Sequence, residues 1–222
     1  MRYLFVMAHP DDESDVGGTI YKLCKNGHEV AVAILVGKVS ARRNLSDSLS
    51  KDEEMSLSIL GVHKVYHADF PNIKTNVSPH LDIVRFIESC ILDWEAEAII
   101  THHSADVNID HSITSVSTLT ACRVYQRGNL NIRLKLLLFC ESAGATEWSL
   151  NDSTKLFIPN YFIEIGIDGL DKKIQSHQAY SGVTRSYPHP YSDEVYKGLA
   201  EYRGSQCGCN YAEAYQCAFR SI

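Results

Sequence analysis

Tyr3-Leu4-Phe5-Val6-Met7-Ala8-His9-Pro10-Asp11-Asp12-Glu13 is the stretch that decides the fold. Six apolar residues run without interruption and stop at His9-Pro10, the pattern of a strand covered on both faces of a parallel sheet. Downstream, helical patterning over Ser14 to Lys25 ends at Asn26-Gly27. A strand over Val30 to Val36 closes at Gly37, a helix over Lys51 to Leu60 stops at Gly61, and Lys64 to His67 reads as a third strand. Asn72 to Pro79 is loop-like, and His80 to Leu92 is an amphipathic helix with Leu81, Val84, Ile87 and Ile91 on one face. Ala98 to Thr101 forms the next strand, a polar loop follows to Ile109, and Asp110 is the expected cap of a helix reaching about Tyr125. Leu134 to Phe139 and Tyr161 to Ile165 read as strands, Asp171 to Tyr180 and Asp193 to Tyr202 as helices. Strands alternating with helices predict an α/β fold with a mostly parallel sheet, whose ligands bind beyond the carboxyl ends of the strands.

A chain of 222 residues suits one domain spanning 1–222. Its net charge of −6, with no basic block, argues against a nucleic-acid partner. No apolar run is long enough to span a bilayer, and the short apolar N-terminus has no cleavage region after it. The seven cysteines are scattered and odd in number, which predicts free buried thiols and a reducing, cytoplasmic location. Cys207-Gly208-Cys209, with one residue between the thiols and no second pair, is a weak metal or redox signal.

Two polar clusters follow strands. The first, His9 to Glu13, offers an imidazole and three carboxylates. A catalytic zinc takes three protein ligands and keeps one position open, and this loop can supply two of them. Pro10 fixes the backbone, and adjacent side chains point to opposite sides, so Asp11 and Asp12 can serve different purposes. The plain alternative is an acidic helix N-terminus in solvent. The second cluster is His102-His103-Ser104-Ala105-Asp106-Val107-Asn108-Ile109-Asp110-His111. In a parallel sheet it lies on the same edge as the first, where His111 can complete a His-Asp-His set. Asp110 either caps the helix or orients a ligand histidine from behind.

Ala8-His9-Pro10-Asp11-Asp12-Glu13 followed by Gly17-Gly18-Thr19, together with Asn108-Ile109-Asp110-His111, resembles the PIG-L/LmbE family of zinc-dependent N-deacetylases. Arg43, Glu53-Glu54, Leu60-Gly61-Val62, Glu141-Ser142, Thr146-Glu147-Trp148, Arg203-Gly204-Ser205-Gln206 and Tyr211-Ala212-Glu213-Ala214-Tyr215 extend the likeness along the chain. The resemblance implies a Rossmann-like three-layer fold and removal of acetyl groups from N-acetylglucosamine units on various carriers. It implies that His9, Asp12 and His111 hold Zn2+ or another divalent metal, that Asp11 is the general base, and that Glu13 supports the loop. Many members carry an oxyanion-stabilising histidine where this chain has Asn108, so Asn108 is expected to share that task, with His103, Arg43 or His189 as compensating groups. Arg43, His103 and Asp106 are the expected substrate contacts. The partner expected is a small N-acetylated sugar or glycoconjugate, and a homo-oligomer is compatible with the sequence.

Rival readings are weaker. A dinucleotide-binding module wants a glycine-rich turn after the first strand, not His-Pro-Asp-Asp. A Cys140 hydrolase lacks a paired base. A sugar-binding relative of low activity, or an amidase for a non-sugar N-acyl substrate, is separated from a deacetylase by metal content and acetate release.

Overall fold

Strand β1 (Arg2–Met7) takes the central place in the sheet because beyond Arg2 it is apolar: Leu4 to Met7 are completely buried. The computed structural model describes residues 1–37, 49–128, 130–150 and 156–222. In chain order its elements are β1, α1 (Gly17–Lys25), β2 (Glu29–Ile34), α2 (Leu49–Leu60), β3 (Lys64–His67), α3 (His80–Trp94), β4 (Ala98–His102), α4 (Ile109–Ala121), α5 (Val124–Arg127), β5 (Leu136–Cys140), β6 (Tyr161–Glu164), α6 (Gly166–Ala179), α7 (Asp193–Cys207) and β7 (Ala212–Arg220). A 3-10 turn, Asp12–Val16, links β1 to α1.

The described strands form one sheet in the order β3-β2-β1-β4-β5-β7-β6. The first five strands in that order are parallel, and β7 runs antiparallel between β5 and β6. Side chains alternate across the sheet. Tyr3, Phe5 and Met7 face α1 and α2 through Val16, Ile20, Leu23, Leu57 and Leu60. Leu4 and Val6 face the other layer, including Ile83, Val84, Ile87 and Ile91 of α3. The expected mostly parallel three-layer α/β fold is the observed one.

Several local expectations are corrected. Leu81 is 55% exposed, and the buried stripe of α3 runs through Ile83, Val84, Ile87, Cys90 and Ile91. The cap of α4 is Asn108, whose Oδ1 accepts the Asp110 N–H at 3.0 Å, so Asp110 lies inside the helix. Strand β7 has no counterpart in the sequence reading. Cys90, Cys122 and Cys140 are buried, but Cys207, on the exposed last turn of α7, is exposed and Cys24, Cys209 and Cys217 are half-exposed. Among the described residues, no helix is long and apolar enough to cross a membrane.

The order of strands places the chemistry. From β1 the chain moves outward to β2 and β3, then returns to β4 on the other side. The loops leaving β1 and β4 therefore diverge and leave a crevice at their carboxyl ends. The first loop carries His9 to Asp15 and the second His103 to Asn108.

Candidate metal centre

His9 and Asp12 leave β1 in a turn closed on itself: the His9 N–H donates to Asp12 Oδ2 at 2.7 Å. His111, in the first turn of α4, enters from the second loop. The ligand atoms of His9, Asp12 and His111 all lie within 4.8 Å of one another. His9 Nδ1 is 3.4 Å from Asp12 Oδ2, and His111 Nε2 is 3.3 Å from Asp12 Oδ1.

Each histidine is held from behind by a carboxylate. His9 Nε2 donates to Asp110 Oδ2 and His111 Nδ1 to Asp106 Oδ2, both at 2.9 Å. Asp110 is itself held by the Ile73 N–H at 2.6 Å, the Thr75 N–H at 3.1 Å and the Thr75 hydroxyl at 2.6 Å. Asp106 accepts the Asn108 N–H at 2.9 Å and the Thr146 hydroxyl at 3.4 Å. With the outer nitrogens donating, the inner nitrogens face the Asp12 carboxylate, where each carries either a proton or, once that is released, a lone pair for a cation. Buried lone pairs facing an anion repel it, and a divalent cation among them turns the repulsion into coordination. The donor set therefore fits a metal such as zinc.

The charges agree. Burial pulls the His9 pKa down, but the hydrogen bonds to Asp110 and Asp12 outweigh it and push it up to about 9. For His111 burial is likewise outweighed, chiefly by Asp12 and Asp106, and its pKa lies well above the ordinary value. Burial raises Asp12, yet His111 and His102 hold it well below the usual carboxylate range. The pocket is built around positive charge.

His102 is a neighbour the sequence reading did not assign. Its Nε2 accepts the Ala8 N–H at 3.0 Å, its ring stacks on His111 at 3.9 Å, and burial with the adjacent His111 lowers its pKa. A second cluster, His102, Asp106 and His111, shares only His111 with the first. Because His102 Nε2 is taken by the backbone, its part is to pack and orient His111.

Asp11 is half-exposed beside buried Asp12 and has φ 96°, a left-handed conformation costing a non-glycine residue about 1–3 kcal/mol. Its N–H donates to Glu13 Oε2 at 3.1 Å, and its carbonyl accepts both the N–H of Ser14 at 3.0 Å and its hydroxyl at 2.7 Å. Glu13, completely buried, also accepts Ser56 Oγ at 2.5 Å and the Tyr180 hydroxyl at 2.7 Å, and burial raises its pKa to about 7.

Asn108 lines a cleft of about 550 Å3 together with Val107, Ile109, Arg185, His189 and Tyr191. His103 lies elsewhere: it is buried, edge-on to Phe139 and Phe157, and its Nδ1 accepts the Ala105 N–H at 3.3 Å. Asp106 lies beneath His111, and neither side chain lines the cleft. Arg43 is outside the described residues.

Residues 4–122 match the family model of PIG-L, described as GlcNAc-PI de-N-acetylase. The chain belongs to the PIG-L family. PIG-L membership places it among hydrolytic N-deacetylases. Solved structures share the fold at low identity. They include the conserved protein TT1542 from Thermus thermophilus, 19% identical at a TM-score of 0.80 over 99% of this chain and 96% of that one. GalB, the 4-carboxy-2-hydroxymuconate hydratase from Pseudomonas putida, is 20% identical at 0.79 over 100% and 97%. The N,N'-diacetylchitobiose deacetylase from Pyrococcus horikoshii is 17% identical at 0.73 over 97% and 83%. No curated protein matches the chain by sequence. These structures carry more than one chemistry on the PIG-L architecture, so function has to be argued from the site.

Proposed function

We propose that this protein is a metal-dependent N-deacetylase acting on an N-acetylglucosamine-type amino sugar or its conjugate, with His9, Asp12 and His111 holding the metal, zinc being the first choice. One observation carries the reading. Two histidines, each fixed by a carboxylate behind it, turn their inner nitrogens on a buried aspartate at the carboxyl ends of β1 and β4.

A bound divalent ion lowers the pKa of its water toward ~7 and polarises a carbonyl oxygen. The protein's own residues handle protons and position. Asp11, half-exposed and held in its strained conformation by Glu13 and Ser14, accepts the proton of the attacking water at its carboxylate. It then returns that proton to the amide nitrogen, which leaves as an amine only once protonated. Asn108 spends its carbonyl oxygen on the helix cap, which leaves its amide N–H groups to face the substrate oxygen. The apolar cleft wall of Val107, Ile109 and Tyr191 suits the faces of a sugar ring.

The test is a panel of N-acetylated amino sugars and conjugates with the zinc-loaded protein, reading free amine and acetate. Asp11→Asn is expected to keep one metal per chain and lose turnover by at least about 10²-fold, the scale of a lost general base. His111→Ala is expected to lose the metal. Hydration of an unsaturated acid, with no amine released from any N-acyl substrate, would move the assignment to the hydratase class.

A further inference from the structure

Helix α7 runs out into Cys207-Gly208-Cys209, three residues that the metal centre does not use. Gly208 has φ 81°, the left-handed conformation that glycine adopts without strain and that reverses the chain after a helix. The Cys209 N–H then returns to the Gly204 carbonyl at 3.0 Å. A Cβ on Gly204 would lie 2.6 Å from the Cys209 carbonyl oxygen, so glycine there lets the turn fold back this closely. Beyond it, the Tyr211 carbonyl accepts the Ile165 N–H at 3.0 Å and ties the turn to the end of β6.

This turn brings two sulfurs together. Cys207 Sγ and Cys209 Sγ are 3.5 Å apart, and both residues are free thiols. The sulfurs of a disulfide are about 2 Å apart, so bonding needs about 1.5 Å of approach. Cys207 is exposed, and its thiol lies 3.5 Å from the Gly204 carbonyl. Cys209 is half-exposed, and its thiol lies 3.5 Å from the Tyr211 carbonyl. Zinc takes four ligands, and two thiols alone do not supply them. Among the described residues, the groups of three candidate ligands are His9-Asp12-His111 and His102-Asp106-His111, and neither includes a cysteine. Cys217 stands five residues along β7 from Ala212, roughly 16 Å away in an extended strand. The pair is therefore a dithiol on its own, set on a fixed turn and open to solvent.

We propose that Cys207 and Cys209 form a thiol–disulfide exchange site, which reduces a low-molecular-weight disulfide such as glutathione disulfide and closes into a Cys207–Cys209 bond. Cys207, the more exposed thiol, gives its proton to water, and its sulfur attacks one sulfur of the small disulfide. That S–S bond breaks, and the departing thiolate takes up a proton. Cys209 then gives up its own proton and attacks Cys207 Sγ, displacing the second thiolate, which is protonated in turn. Two cysteine thiols lose two electrons, one disulfide becomes two thiols, and no other reactant is needed. The order agrees with the environment of the second thiol: burial first, then Cys207 and Glu164, push the Cys209 pKa up to about 11, so it holds its proton until Cys207 has reacted. A disulfide on an exposed turn is of the labile, reversible kind. The site does not depend on the deacetylase reading.

The test treats the full chain with glutathione disulfide under nitrogen, alkylates it in denaturant, and weighs the tryptic peptide from Gly204 to Arg220, which carries Cys207, Cys209 and Cys217. The treated parent is expected to lack two hydrogens and to take one alkyl group, on Cys217, with two molecules of glutathione released per chain. Dithiothreitol should restore alkylation at all three cysteines. Cys209→Ser should stop after the first step, with one glutathionyl group retained on Cys207 and one glutathione released. Cys217→Ser should close the Cys207–Cys209 bond as the parent does. Three alkyl groups on the treated parent would overturn the proposal. So would a bond from either thiol to Cys217, or a parent that keeps the glutathionyl group and never closes.

Discussion

Asp110 and Asp106 hold His9 and His111 in the same way, each accepting the N–H on the far side of the ring at 2.9 Å. Asp110→Asn keeps the size and weakens the acceptor, so His9 loses its fixed tautomer and part of its basicity. Metal affinity is expected to fall about 10–100-fold with all three ligands in place, measured by competition with a chromophoric chelator. Asp15, three residues past Asp12, gives a pH prediction. Burial raises its pKa from 3.8 to about 7, only partly countered by Lys173 and Tyr196. A carboxyl with a raised folded-state pKa binds its proton more tightly when folded. Its stabilising contribution is complete below the unfolded value and is lost as pH rises through about 7. Asp15→Asn should therefore flatten the fall in stability between about pH 4 and 7, read as the difference in urea midpoint between variant and parent. At this scale the sequence was most legible where chemistry is dense, as in His9-Pro10-Asp11-Asp12-Glu13. It was least legible where a role depends on what lies behind a residue. Asp106, expected at the substrate, sits under His111, and a spacing of five residues gives no hint of that. His102 read as loop because the buried strand runs one residue further than its apolar run.

Element by element, the second half of the chain depends on a strand that sequence did not reveal. On one face of β7 the residues are Glu213, Tyr215 and Cys217, and on the other Ala212, Ala214 and Gln216, until a register shift opposite Leu137 and Leu138 breaks the alternation. A buried acid on the core face and small residues opposite hide the alternation that marks a strand. Glu213 is there to hold α1. Its carboxylate accepts the N–H groups of Gly18 at 3.0 Å and Thr19 at 2.9 Å, and pairs with buried Lys173 at 2.8 Å. A Cβ on Gly18 would lie 2.7 Å from Ile165 and 3.0 Å from that carboxylate, so glycine lets the two elements close. Glu213→Ala strands a buried ammonium and the helix N-terminus together, and is expected to cost about 3–5 kcal/mol in denaturant unfolding. Adding Lys173→Met should recover part of that loss. At the start of α4, Asn108→Asp keeps a good cap while replacing amide donors with a negative charge facing the substrate oxygen. Stability should stay within about 0.5 kcal/mol, on the scale of swapping one good cap for another. Turnover should drop at the same time, which separates the two functions of one residue.

For the molecule as a whole, the strand order would couple a metal held by His9, Asp12 and His111 to the fold. Alternation of strands and helices in the sequence was enough to predict parallel strands. It does not say that β4 returns to the far side of β1, because the long segment containing α3 can cross to either edge. That return makes the two ligand loops leave adjacent strands in divergent directions, with only side chains to join them across the crevice. His9 and Asp12 are on one loop and His111 at the end of the other, so a metal bound by the proposed set would cross-link the halves of the sheet. Anything that binds only the folded state stabilises it by mass action, about 2.7 kcal/mol at a free concentration one hundred times Kd. For a chain of this length that corresponds to a rise in melting temperature of about 5–10 °C. Zinc should give such a rise in the parent and none in His111→Ala, by scanning calorimetry. Chelation should raise hydrogen exchange locally, at residues 9–16 and 103–111, while leaving the β5-β7-β6 side of the sheet unchanged, since Lys173, Glu213 and Tyr215 hold that side without the metal. Uniform loss of protection across all seven strands would instead mean that the metal supports the whole core, and would contradict a cross-link confined to the two loops.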